Sequence, residues 1–207
     1  MTTRRPNAGI GTPDRSHGYE AAADVYAASR SPTIGAATVA RWAASLPAGA
    51  SVLDLGCGNG VPITRTLVDA GLDVWALDAS PSMAAAFRRH FPGLPVAVEP
   101  IEDSDLFSRR FDAAVAWGLL FLLEPPTQAI AVRKIADALN PGGRFLFTAP
   151  AAALEWIDVL TGAVSFSLGR DGYRALLASA QLDVIAEDED EGDNHYFEAA
   201  KAEGTHV

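Results

Sequence analysis

The chain has 207 residues, 49% of them hydrophobic and 20% charged, which excludes disordered, collagen-like and disulfide-scaffold proteins. Its formal net charge of −10 disfavours nucleic acid and anionic membranes as partners. We expect a cytoplasmic protein for three reasons. Cys57 is a lone cysteine, so no internal disulfide can form. No apolar stretch reaches the ~20 residues of a membrane span, and the polar N-terminus lacks the apolar core of a secretory signal.

Helices and strands are predicted to alternate along the chain. Residues 1–18 lack periodicity and predict a mobile tail, and residues 19–207 predict a single domain. Helices are predicted over 19–30, 34–46, 62–70, 82–91, 127–139 and 171–180. Strands are predicted over 51–55, 73–77, 95–98, 111–117, 144–148, 182–186 and 196–200. This alternation predicts a doubly wound α/β fold, with a mainly parallel sheet and helices on both faces.

A glycine-rich loop follows the first predicted strand, in the sequence Asp54-Leu-Gly-Cys-Gly-Asn-Gly60. Glycine at every second position allows sharp turns and close approach to a ligand, and we expect the loop amides to meet an anionic group. A dinucleotide fingerprint requires a third glycine at position 61, which is Val61, and Asp54 would repel a pyrophosphate. The spacing therefore disfavours a nicotinamide cofactor, and no Gly-Lys-Ser/Thr follows to make a P-loop.

A carboxylate, Asp78, ends the second predicted strand 18 residues after Gly60. An acidic side chain at this place accepts hydrogen bonds from the ribose hydroxyls of a bound nucleoside. The Asp54–Gly60 loop followed by Asp78 resembles class I S-adenosylmethionine-dependent methyltransferases, and the resemblance extends from about Tyr19 to the C-terminus. It implies a seven-stranded sheet with an antiparallel last strand, and S-adenosylmethionine as cofactor.

The resemblance also implies roles for residues that follow the strands. The methionine part of the cofactor would be wrapped by the loop containing Asp54, Gly56, Cys57, Gly58 and Gly60. Asp78 would hold the ribose, and Ala79 and Met83 would flank the adenine. Ile101 would donate its backbone amide to adenine and Glu102 would supply the acidic contact, with Glu99 as an alternative because Pro100 departs from the family pattern. Trp117 would lie in the loop beneath the transferring methyl group.

In relatives, N-terminal helices close over the pocket, which implies a helical lid over about residues 19–46. Tyr19, Tyr26 and Arg30 lie on this lid, and Tyr26 and Arg30 are candidates to meet the cofactor carboxylate, with packing against the sheet edge as the alternative. His195, just before the last predicted strand, is the candidate general base, although a histidine at a strand start is commonly structural. The acidic run before it lacks the spacing of a calcium loop, so no metal site is expected.

The predicted activity is transfer of a methyl group to oxygen or nitrogen of a small organic acceptor. Residues 117–120 lack the Asn/Asp-Pro-Pro-Tyr/Phe motif of enzymes that methylate adenine or glutamine, and no Pro-Cys nucleophile stands there. We expect the acceptor between the N-terminal helix, the Trp117 loop and the segment that contains Trp156 and Asp158. A non-catalytic S-adenosylmethionine sensor or partner module is the alternative, ahead of a nicotinamide-dependent oxidoreductase; the oligomeric state is not indicated.

Overall fold

The computed structural model describes residues 14–203, so residues 1–13 of the predicted tail and residues 204–207 lie outside it. The α-helices are α1 (Tyr19–Ser29), α2 (Ala36–Ala43), α3 (Ile63–Asp69), α4 (Pro81–His90), α5 (Pro125–Ala138) and α6 (Gly169–Ser179). The strands are β1 (Ser51–Leu55), β2 (Asp73–Asp78), β3 (Val96–Val98), β4 (Phe111–Ala116), β5 (Leu139–Thr148), β6 (Ala153–Ile157), β7 (Val164–Leu168), β8 (Leu182–Glu189) and β9 (His195–Lys201). Short 3-10 turns occupy Leu106–Ser108 and Leu120–Leu122.

Seven of these strands form one sheet in the order β3-β2-β1-β4-β5-β9-β8. Strands β1 to β5 are parallel where they pair, and β9 is antiparallel to both β5 and β8. The predicted fold, with its antiparallel last strand, is therefore confirmed. The strand order reverses at β1, which leads to β2 on one side and is flanked by β4 on the other, and a crevice opens at such a point.

The central strands are apolar because both of their faces are covered. Four of the five residues of β1 are buried, and Val52 and Leu53 are fully so. Leu53 packs in a core with residues of α5 and α6, whereas Val52 packs in a second core with residues of α2 and α3. Burial on both faces removes the polar alternation of a half-exposed strand, which explains why short apolar runs identified these strands.

Two strands of the structure, β6 and β7, were not predicted from the sequence. Strands β6 and β7 form a separate antiparallel hairpin within the segment between Pro150 and Arg170. Four of the five residues of β6 are exposed and Trp156 is only partly buried, so the alternation that indicates a half-buried strand is missing. This hairpin places Asp158, which follows β6, beside the carboxyl end of the main sheet.

Residues 14–18, which were predicted as part of the tail, contact the body of the domain in the structure. Ser16 is buried, and Arg15 forms ion pairs with Glu102 and Asp103 at 2.7 and 3.0 Å. Residues 14–18 therefore pack beside the loop that follows β3, at the carboxyl end of the sheet. None of the helices between residues 14 and 203 is both long and apolar enough to cross a membrane.

Candidate functional site

A cavity of about 240 Å³ lies at the carboxyl end of the sheet. Its walls come from the loops that follow β1, β2, β3 and β4, from residues 15–30, from the β6–β7 hairpin and from the turn before β9. The predicted site residues that line it are Gly56, Gly58, Asp78, Ala79, Met83, Ile101, Glu102, Trp117, Tyr26 and Arg30. The fold thus brings together ten side chains or backbone positions that are dispersed in the sequence.

The glycine loop takes a left-handed backbone at all three glycines. Gly56, Gly58 and Gly60 have φ of +66°, +56° and +82°, values that L side chains rarely adopt. A Cβ on Gly58 would lie 3.7 Å from the Tyr26 ring across the cavity wall, whereas one on Gly60 would overlap the Phe91 ring. Gly58 therefore shapes the cavity, and Gly60, which does not line it, allows the loop to pack on α4 and the residue that follows it.

The amides of this loop are used inside the protein. Gly56 and Cys57 donate to the Leu77 carbonyl at 2.8 and 3.1 Å, and Gly60 donates to the Cys57 carbonyl at 2.9 Å. Gly58 donates to the Asp78 carboxylate at 2.8 Å. The Gly58 amide thus does meet an anionic group, but that group is the Asp78 carboxylate of the protein itself, and the amides of Gly56, Cys57 and Gly60 have carbonyl acceptors within the fold.

Asp78 joins the loops after β1 and β2. Its Oδ2 accepts from the Gly58 amide and its Oδ1 accepts from the Ser80 amide, both at 2.8 Å. Burial raises the pKa of Asp78 and the nearby Glu20 carboxylate adds to this rise, while the two amide hydrogen bonds oppose it. Each carboxylate oxygen keeps a lone pair that a ligand hydroxyl can approach from the cavity.

Asp54, Cys57 and Gly60 lie behind the cavity wall rather than on it. Asp54 is 1% exposed and its Oδ2 accepts from the Thr64 hydroxyl at 2.5 Å. Burial raises the pKa of Asp54 to about 7, and the Asp78 charge contributes. Burial likewise raises the pKa of the Cys57 thiol, which makes it a poor nucleophile. The predicted direct contact of these three residues with the cofactor is therefore corrected to a supporting position.

Two polar groups at the β3 end of the cavity lack a hydrogen-bond partner within residues 14–203. The backbone N–H of Ile101 has no acceptor among residues 14–203. Glu102 pairs through Oε1 with Arg15, while its Oε2 is buried and has no partner in the same part of the chain. Glu99 also lines this end. Unpaired buried polar atoms are costly, so this end of the cavity is prepared for a polar ligand.

At the other end of the cavity, Arg30 and Trp117 are stacked. The Arg30 guanidinium carbon lies 3.8 Å from the centre of the Trp117 ring and 5.5 Å from that of Tyr26. The Nε of Arg30 is buried and has no hydrogen-bond partner within the described residues. A guanidinium fixed on an aromatic face, with donors still free, is suited to bind a carboxylate.

The Trp117 ring is held in place by a chain of hydrogen bonds. Its Nε1 donates to the Tyr196 hydroxyl at 2.6 Å, and that hydroxyl donates to Asp190 Oδ2 at 2.7 Å. Asp190 also accepts from Asn194, whose side-chain Nδ2 lies 2.9 Å from Oδ1. The turn before β9 is thereby tied to the loop after β4.

His195 lies away from the cavity. Its Nε2 is 2.9 Å from Glu187 Oε2, and the same carboxylate pairs with Arg170 and Arg174. Successive residues of a strand point to opposite faces, so His195 packs against Phe197, opposite the Tyr196 face. The prediction of His195 as general base is therefore corrected: its position is structural.

Four polar residues of the cavity, Arg15, Ser16, His17 and Asn194, were not predicted from the sequence. They lie in the 14–18 segment or in a turn, where no periodicity indicates which way a side chain faces. Tyr19 and Asp158 were placed near the site but received no role. Tyr19 lies two helical turns before Tyr26, and this spacing could have put both on one face of α1. The other residues reach the cavity through long-range folding of the chain, which local sequence patterns do not encode.

Comparison with known proteins supports a methyltransferase. Residues 52–143 match the model of a family described as a methyltransferase domain. An uncharacterized methyltransferase of Mycobacterium tuberculosis is 35% identical over 61% of this chain and 50% of its own length. A ubiquinone biosynthesis O-methyltransferase of Xanthomonas axonopodis is 36% identical over 66% of this chain and 60% of its own. The chain thus spans about half to three fifths of the length of these relatives.

Solved structures share the fold at low sequence identity. An amino pentose methyltransferase of Micromonospora echinaspora matches with a TM-score of 0.69 and 21% identity over 89% of this chain and 96% of that one. A 1,6-didemethyltoxoflavin-N1-methyltransferase of Burkholderia thailandensis matches with a TM-score of 0.67 and 19% identity over 97% and 99%. The resemblance to class I S-adenosylmethionine-dependent methyltransferases is confirmed at the level of the fold and of residues 52–143.

Proposed function

We propose that this chain, whose residues 52–143 match a methyltransferase domain family, binds S-adenosylmethionine and transfers its methyl group to a small organic acceptor. The observation that carries the proposal is the cavity in which Gly58, Asp78 and Arg30 converge at the switch in strand order. The acceptor atom is oxygen or nitrogen. Named relatives and neighbours include both an O-methyltransferase and an N1-methyltransferase.

The nucleoside part of the cofactor fits the end of the cavity formed by the loops after β2 and β3. Asp78 would accept hydrogen bonds from the ribose hydroxyls through its remaining lone pairs. Ala79 and Met83 would pack on the adenine, to which the unpartnered Ile101 amide and the orphaned Glu102 Oε2 would offer polar contacts. These unpaired groups are the reason that a purine fits there better than an apolar molecule.

The methionine part of the cofactor fits between Gly58 and Arg30. The missing side chain at Gly58 leaves room for close approach of the ligand to the loop. Arg30 would bind the carboxylate through donors that have no acceptor within residues 14–203, while Tyr26 packs beside it. With the cofactor placed in this way, the acceptor would bind in the remaining part of the cavity, near Trp117 and the β6–β7 hairpin.

The bound cofactor supplies an activated methyl group on a positively charged sulfur. The chain's own residues would align the acceptor in line with the methyl–sulfur bond and exclude water from it. Trp117, fixed by Tyr196, would form a rigid wall for this alignment. Because alignment is the main requirement, intact cofactor binding alone does not distinguish an enzyme from a sensor module.

Calorimetric titration with S-adenosylmethionine and its demethylated product tests cofactor binding. We expect micromolar dissociation constants, about −8 kcal/mol. Asp78→Asn should weaken binding of the demethylated product by ~5- to 150-fold, or about 1–3 kcal/mol, through lost charge-assisted hydrogen bonds. Asp73→Asn, at the exposed opposite end of β2, makes the same charge change and should bind normally. Absence of binding by the wild-type protein would refute the proposal.

A screen of phenols, amines, carboxylates and thiols for release of the demethylated cofactor tests the transfer itself. Turnover with any one of them would establish an enzyme. Firm cofactor binding without turnover across all four classes would favour the sensor module.

A further inference from the structure

Asp158 presents an uncommitted carboxylate oxygen at the cavity. Its Oδ1 closes the turn after β6 by accepting from the amides of Leu160 and Thr161 at 2.9 and 2.8 Å, and from the Thr161 hydroxyl at 3.1 Å. Its Oδ2 accepts no hydrogen bond from residues 14–203, and Asp158 lines the cavity. One oxygen therefore fixes the side chain in the protein, and the other is left for a ligand.

The surroundings of Asp158 are aromatic and partly dry. Tyr19, Trp117 and Phe121 line the same end of the cavity, and Trp156 packs behind Phe121 with ring centres 5.5 Å apart. Burial raises the pKa of Tyr19, the Asp158 charge adds to this rise and the Arg30 charge opposes it, so both charged groups act on this ring. Charges interact more strongly where water is excluded.

Asn194 adds a second acceptor at the cavity. Its side-chain Nδ2 donates to both oxygens of Asp190, at 2.9 and 3.0 Å. This leaves its Oδ1 without a donor among the described residues, while the amide plane is fixed by Asp190. Arg30, the nearby cation, is the group that we assign to the cofactor carboxylate. The acceptor end thus offers hydrogen-bond acceptors and a net negative charge.

We propose that the methyl acceptor is an amine carried next to an aromatic ring, and that Asp158 is the catalytic residue that binds its N–H and receives its proton. This inference rests on the proposed function of the same cavity. A carboxylate beside aromatic rings attracts an ammonium group and repels carboxylate or phenolate acceptors. A negative charge at this end of the cavity therefore suits an amine better than an acidic acceptor.

The reaction balances with the cofactor and the amine alone. An ammonium acceptor first gives a proton to solvent, and the nitrogen lone pair of the neutral amine forms a bond to the methyl carbon. The carbon–sulfur bond breaks and its electron pair goes to sulfur, giving the neutral thioether. One N–H proton of the methylated ammonium passes to Asp158 Oδ2 and then to water.

Ternary binding tests the specificity. In the presence of saturating demethylated cofactor, we expect benzylamine to bind at least tenfold more tightly than benzyl alcohol or benzoate. Asp158→Asn retains an oxygen to close the turn and removes only the charge, so it should abolish this preference and leave cofactor affinity unchanged. Glu155→Gln makes the same charge change on an exposed position of β6 and should behave as wild type.

Methyl transfer provides the second readout, with N-methylbenzylamine detected by mass spectrometry. Asp158→Asn should lower kcat/KM for benzylamine by ~10²- to 10⁴-fold, and Glu155→Gln should not. Equal or tighter binding of benzyl alcohol or benzoate, or unchanged kcat/KM in Asp158→Asn, would overturn the proposal. Weaker cofactor binding in Asp158→Asn would also overturn it, by assigning the carboxylate to the cofactor ammonium. Failure of the wild-type protein to bind cofactor would instead refute the proposed function.

Discussion

Replacing Gly58 by alanine separates the backbone role of the glycine loop from its ligand role. Gly58 has φ of +56° and lines the cavity. Gly71, at the end of α3, has φ of +76°, and a Cβ there would meet no atom within 4 Å. An L residue in the left-handed region costs ~1–2 kcal/mol. Because both alanines carry this strain, Gly71→Ala is a matched control for Gly58→Ala.

The expected loss of stability follows from these contacts. The new methyl group at Gly58 would lie 3.7 Å from Tyr26 Cε1 and 3.9 Å from its hydroxyl oxygen, which are ordinary van der Waals distances. No overlap is added to the strain, so both variants should lose ~1–2 kcal/mol in free energy of unfolding. At Gly58, however, the methyl group occupies the place where the ligand approaches the backbone.

Urea unfolding and calorimetric titration with the demethylated cofactor measure the two effects. Gly58→Ala should bind at least ~10-fold more weakly than wild type, a loss of about 1.4 kcal/mol, whereas Gly71→Ala should bind normally. If both variants bind the ligand equally well, Gly58 does not contact it and the assignment of the cavity is refuted. A much larger loss of stability in Gly58→Ala would show that the loop cannot hold a Cβ for reasons unrelated to the ligand.

Two further predictions concern the residues behind the cavity wall. Gly60→Ala adds overlap with Phe91 and a 3.0 Å contact with Phe87 to its left-handed strain, so it should lose ~2–5 kcal/mol in urea unfolding; a loss no larger than that of Gly71→Ala would contradict this packing. Burial raises the pKa of Asp54 from 3.8 to about 7, so the folded protein binds the Asp54 proton more tightly than the unfolded chain does. The contribution of Asp54 to stability therefore falls as pH rises from about 4 to about 7. The stability of Asp54→Asn relative to wild type should therefore increase over that interval in cofactor-free protein, and a constant difference would refute the raised pKa.

The cofactor end of the cavity could be predicted because its determinants are local. Strand β1, the glycines and Asp78 follow one another within a βαβ unit, and parallel pairing of Leu55 with Leu77 brings the strand ends together. Fully buried strands also have a plain signature in their apolar residues. At the cofactor end, residues that are close in the sequence are therefore also close in space.

The remaining site residues depend on long-range packing that no local pattern reveals. Asp158 reaches the cavity only because the exposed β6–β7 hairpin folds back to it. For His195, the region was predicted correctly, but the register of β9 decides which face each residue occupies, and a shift of one residue reverses the face. The acceptor of the Gly56 and Cys57 amides was not predicted because the Leu77 carbonyl lies on the neighbouring strand.

The two ends of the cavity also differ in how far apart their residues lie along the chain. Gly58, Asp78 and Ile101, at the cofactor end, all fall within residues 52–143, the range that matches the methyltransferase domain family. At the acceptor end, Tyr19 precedes that range, and Asp158 and Asn194 follow it. Substitutions at these three positions can therefore reshape the acceptor end while the cofactor end stays intact, so that kinship across residues 52–143 carries no information about the acceptor.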